Sequence, residues 1–184
     1  TPHLAPLAPA LLSCIMSVAT DKGRFMHMVC AFAMLSSTFA QEADDLIPQL
    51  VAVIETMEVE AYGSTLSALT SLFHTDTTCT LSELVSFLQV IALMFQHAPP
   101  RSSRASDKCF SHLVLSLGPV ATHFPTLTKP IVEVLVCVCQ YRPHMLRPFD
   151  VPRILALLGI LLGPRLAEPV DEHDASAIFG GICG

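Results

Sequence analysis

Apolar residues recur at helical spacing along almost the whole chain, and strand-type alternation is scarce. Leu84, Phe87, Leu88, Ile91 and Phe95 fall on one helical face, as do Leu46, Leu50, Val53, Ile54 and Met57. Met26, Val29, Cys30, Phe32 and Ala33 suggest a third such face. Thr80-Leu81-Ser82-Glu83 reads as a capping box, in which hydroxyl and carboxylate each meet an orphan backbone N–H. Ser106, Asp150 and Asp171 are expected N-caps. Pro48, Pro130 and Pro152 sit near helix starts, where a missing N–H costs little. Pro99-Pro100, Pro143, Pro148 and Pro164 mark ends. The pattern predicts helices near 3–19, 24–39, 44–59, 62–74, 80–96, 106–119, 126–140, 150–163 and 171–182.

After the first, these helices pair into four hairpins with related apolar kernels. Leu35, Leu72, Leu117 and Leu158 hold equivalent places, separated by 37, 45 and 41 residues. A period of about 40 residues with two helices per unit predicts an α-solenoid. The expected fold is therefore all-α: about four helical hairpins plus one N-terminal helix. The whole chain, 1–184, reads as one array, and as a fragment of a longer one. Thr rather than Met stands first, the 3–19 helix is apolar nearly all round, and Ala177–Gly184 is apolar to its end. Protein partners are expected at these apolar array ends. A compact bundle with accidental periodicity is the competing architecture.

Composition gives the repeat a purpose. Hydrophobic residues make up 52% and charged residues 14%, with a mean hydropathy of +0.56. Such a chain holds more apolar surface than one globule buries, and stacked hairpins would absorb the excess. Membrane insertion is not expected. The uncharged apolar run between Arg153 and Arg165 has 11 residues, and a helix needs about 20 to span the hydrocarbon layer. Thr1–Thr20 holds no Lys or Arg, so it has no basic leader character. Seven cysteines lie mostly in apolar runs without a C-x-x-C pair. They read as reduced, buried small hydrophobes, which favours an intracellular reducing compartment.

Catalysis is not expected. Phosphate-loop, dinucleotide, zinc-protease and nucleophile-elbow motifs are all missing. No two of the eight histidines stand at i,i+3 or i,i+4, so histidines alone give no metal face. Asp171-Glu172-His173-Asp174 reads as a solvated helix start, and Cys109 with His112 as packing. No metal, cofactor or catalytic residue is expected; an enzyme with an unfamiliar site is the remote alternative.

The net charge of −6 hides an asymmetry. Residues 1–100 sum to −7, whereas residues 101–165 carry eight basic and three acidic groups, a sum of +5. Arg101, Arg104, Lys108, Arg142, Arg147 and Arg153 fall in loops or at helix starts. Equivalent loops of a solenoid line one edge, so these cations are candidates to track phosphates of single-stranded RNA. Tyr141 and His144 are candidate stacking partners for bases. Ordinary loop solubilisation is the plainer reading of the same charges.

Arg147-Pro148-Phe149-Asp150-Val151-Pro152-Arg153-Ile154-Leu155-Ala156-Leu157-Leu158-Gly159 and Ser111-His112-Leu113-Val114-Leu115-Ser116-Leu117-Gly118 carry a resemblance. Their leucine-rich kernel resembles the helical-hairpin repeats of organellar RNA-metabolism proteins. These include the octotricopeptide, FAST-kinase-like and RAP-type proteins, and the helical-repeat proteins of the RNA-editing substrate-binding complex. The resemblance spans roughly residues 24–182. It implies a mitochondrial, non-catalytic module in RNA processing or translation, bound to single-stranded RNA or a ribonucleoprotein complex. The alternative is a protein-binding scaffold of HEAT or armadillo type.

Overall fold

The computed structural model describes residues 21–37, 40–73, 79–100 and 102–166. The expected helices at 3–19 and 171–182, the Asp171 cap and the Asp171–Asp174 cluster lie outside them. The described residues are all-α, with no strand. In chain order the helices are α1 (Asp21–Ser36), α2 (Ala40–Asp44), α3 (Ile47–Thr56), α4 (Val59–Ser71), α5 (Leu81–Gln96), α6 (Ser103–His123), α7 (Thr128–Tyr141) and α8 (Val151–Leu166). Short 3₁₀ turns, Pro125–Leu127 and Pro143–Met145, flank α7. No helix among the described residues is long and apolar enough to cross a membrane.

Local sequence explains most of the ends. Thr80 Oγ1 accepts from Glu83 N at 3.4 Å, and Thr80 N donates to Glu83 Oε2 at 2.7 Å, completing the capping box of α5. Pro48 lies in the first turn of α3, and Pro130 and Pro152 near the starts of α7 and α8, where a missing donor is tolerated. Asp150 directly precedes α8, and its carbonyl accepts from Ile154 N at 2.9 Å. The expected 44–59 helix is shorter: Met57 and Glu58 are extended, with ψ of 137° and 146°. Met57 is nonetheless buried, so the break still delivers an apolar side chain to the core.

Two further expectations are corrected around α6. Ser106 does not cap it. The helix begins at Ser103, and Ser106 is buried one turn inside, donating to Ser102 O at 3.1 Å and Tyr62 Oη at 3.3 Å. The helix also runs past its expected end at 119, through Pro119 to His123. Pro119 and Leu115 are both exposed, so the bond lost at Leu115 falls on the solvent side.

The core runs through every helix except the short ends, from Phe25 and Leu50 to Leu157 and Leu161. The α5 face is buried as expected, and Phe95 meets Phe110 edge-on at 5.9 Å between centroids. Helices two apart along the chain pack most extensively: α4 on α6, α6 on α8, and α5 on α7, with α1 against α5. The α4–α5 pair also packs directly, whereas α6 and α7 meet chiefly through the intervening turn.

The cysteines divide. Cys109 and Cys137 are buried, Cys79 is half-buried, and Cys30 and Cys139 are exposed; these five are free thiols. The inward face of α1 is Phe25, Met28, Val29, Phe32 and Ala33. It leaves Cys30 on the opposite side, against the expectation that placed it with the core.

Candidate functional site

Six cations formed the expected RNA-binding set, and the fold separates them. Arg101 lies outside the described residues. Arg142 ends α7 and is occupied: its Nε donates to Phe95 O at 3.0 Å and its Nη2 to Ala98 O at 2.8 Å. Phe95 O belongs to the last turn of α5, where a helix has no internal donors left, and Ala98 O lies just beyond that end. Tyr62 Oη donates to Met94 O at 3.0 Å, so two helices finish the end of a third. Burial pushes the Tyr62 phenol up to about 12, against smaller opposing effects of the Ser106 hydrogen bond and Arg142, which keeps it a donor.

Arg147 and Arg153 serve the junction between α6 and α8. Arg147 pairs with Asp107 of α6, and its guanidinium lies 5.6 Å from the Phe149 ring centroid. Arg153 lies 3.7 Å from Asp150 and 5.8 Å from the same centroid. Asp150 is 0% exposed. Its two carboxylate oxygens accept from Ser111 Oγ at 3.0 Å each. These cations therefore offset buried or half-buried acids, as charges near a core must be. Phe149, which is not among the expected site residues, is half-exposed beneath both guanidinium groups.

Arg104 and Lys108 remain. They stand one turn apart on α6, both exposed, and no acid among the described residues pairs with either. They border a cleft of about 630 Å³ with Val59, Glu60, Gly63, Ser64 and Ser67 of α4. A second cleft of about 340 Å³ continues it past Ser67, Thr70, Ser71, Lys108, His112 and Ser116. Ser67, Lys108 and Cys109 line both, so the two make one groove between α4 and α6. Its lining mixes serine and threonine hydroxyls and the two cations with Val59, Gly63 and Cys109, with Glu60 toward one end and the His112 imidazole toward the other. The i,i+4 pairing escaped the sequence reading because α6 was expected to start at 106, which left Arg104 in a loop.

Cys109 closes the groove floor. Its Sγ lies 4.0 Å from Gly63 O, and burial raises its thiol above the ordinary value. Burial likewise lifts the Cys137 thiol to about 11, with Arg142 opposing. Both are poor nucleophiles at neutral pH. No three His, Cys, Asp or Glu side chains among the described residues gather to hold a metal. Tyr141 and His144 are exposed, apart from the residues that line the groove. Comparison with family models, with curated proteins and with solved structures finds no match to this chain.

Proposed function

We propose that this chain is a non-catalytic helical-repeat module that contacts single-stranded RNA through the α4–α6 groove, in organellar RNA processing or translation. The single observation that carries the reading is the Arg104–Lys108 pair, with no acid partner among the described residues, on a groove that also presents serine and threonine hydroxyls. Cations one turn apart suit successive phosphates, and serine and threonine hydroxyls can donate to phosphate oxygens. A groove with no Phe, Tyr or Trp and a single imidazole, His112, favours the backbone over the bases, so binding would be weakly sequence-dependent. The solenoid reading rests on the alternating packing, in which α4, α6 and α8 form one file and α5 and α7 another. The mitochondrial assignment rests on the resemblance of the leucine-rich kernels alone.

Binding of this chain to a fluorescent single-stranded RNA, measured across salt, tests the proposal. Replacing Arg104 and Lys108 by Ala is expected to flatten the log–log salt slope by about 1.4, at about 0.7 per phosphate contact. An unchanged slope would overturn the groove as the contact.

A second reading has its own observation. Helix α8 exposes Val151 and Leu155 one turn apart on one face, with Leu155 62% exposed. An apolar face of that kind suits a HEAT- or armadillo-like protein scaffold. Loss of a protein partner on Leu155→Glu, with RNA binding intact, would favour it.

A further inference from the structure

The outward face of α1 carries an imidazole, a thiol and a thioether in line. His27, Cys30 and Met34 stand at i, i+3 and i+7, within about 60° of one another around the helix. All three are exposed, and Met34 is 71% exposed. The contrast within the helix is instructive. Met28, on the other side, is completely buried among Phe25, Val29 and Phe32. Packing therefore accounts for Met28 and leaves Met34 unexplained. Cys30, a free thiol, stands between the other two along the helix, three residues after His27 and four before Met34.

We infer that His27, Cys30 and Met34 form a surface site for a soft monovalent copper ion. Neighbours three and four apart on a helix bring their Cβ atoms within about 5–6 Å, so one ion near the Cys30 sulfur is within reach of both flanking side chains. Long helical side chains lean toward the N-terminus, which brings the Met34 sulfur back over the Cys30 turn. The donor chemistry selects the metal. A thiolate and a thioether suit Cu(I), while Mg²⁺, Ca²⁺ and Mn²⁺ prefer oxygen. Zinc sites use thiolate, imidazole and carboxylate, so a thioether adds nothing for Zn²⁺. Binding is a simple exchange: the Cys30 thiol gives its proton to solvent as its sulfur binds Cu(I), with no change of oxidation state. The site is independent of the RNA reading, because it lies on another helix and uses none of the groove residues.

The test is anaerobic titration of the reduced full chain with Cu(I), in competition with a bicinchoninate chelator. One ion per chain is expected to be retained at this site, and to protect Cys30 from iodoacetamide in peptide mass spectra. Met34→Leu and His27→Ala should each weaken retention by at least about 10-fold. Cys30→Ser should abolish it, and Cys139→Ser, which removes the other thiol exposed among the described residues, should leave it unchanged. Circular dichroism of each variant reads the fold, which substitutions on an exposed face should preserve. Unchanged affinity in Met34→Leu or in His27→Ala, or protection of another cysteine in place of Cys30, would overturn the site.

Discussion

The two ends of α5 are finished in opposite ways. Its first turn is closed by residues three apart in sequence, Thr80 and Glu83, exchanging hydrogen bonds between side chain and backbone. Its last turn is closed by Tyr62 of α4 and Arg142 at the end of α7, which lie 32 and 47 residues from the carbonyls they serve. One end is a local motif that forms with the helix. The other exists only once three helices have packed. Pro99 and Pro100 keep the chain from continuing the helix, so the exposed carbonyls need donors from elsewhere.

The tertiary end is expected to be the more costly to break. Arg142→Met removes two charge-assisted bonds and is expected to cost about 3 kcal/mol, read by urea unfolding. Arg142→Lys should recover less than half, because an ammonium cannot serve both carbonyls in the planar geometry of a guanidinium. Equal stability of the Met variant and the parent would show that water closes this end as well as Arg142 does.

Tyr62→Phe comes next, at about 1–2 kcal/mol, since Met94 O is left without its buried donor. It carries a pH signature. The phenol titrates near 10.0 when unfolded and about 12 when folded. Its contribution is therefore complete below 10 and is lost as the pH rises toward 12, because the folded state holds the proton longer. The Phe variant should lack that part of the alkaline loss, and identical alkaline limbs would refute the assignment.

At the local end, Thr80→Ala should cost about 1 kcal/mol in the same unfolding assay. The smallest effect is that of Glu83→Gln. Hydrogen bonds from the Thr80 backbone and side chain hold the Glu83 carboxyl below its ordinary value. Its contribution is present above that ordinary value and fades as the pH falls through the lowered one. The Gln variant should show a slightly flatter acid limb, and a steeper one would contradict the cap.

The same contrast explains what could be read from the chain. The capping box and the α5 face were legible because each depends on residues within a few positions of one another. The start of α6 was misread, because Ser106 is a common capping residue and only the packing of Tyr62 shows it to be interior. Cys30 was misassigned by a face offset of one residue, which the sequence cannot correct when both sides of α1 hold apolar side chains. Most of the candidate cations were named, but their roles were not. Arg142, Arg147 and Arg153 look like Arg104 in sequence, yet each meets a carbonyl or carboxylate delivered by the fold.

Sequence alone determined the all-helical character, the helix starts set by proline and by Thr80, and the surplus of apolar surface that forces helices together. These follow from backbone sterics and from interactions spanning one helical turn. Tertiary structure decided which charges are spent and which are free. A charge near a core must find its counterpart before packing completes, and the acid at Asp107 that meets Arg147 lies 40 residues away along the chain. Only after those pairings are made do Arg104 and Lys108 stand apart as exposed cations that no acid among the described residues pairs with.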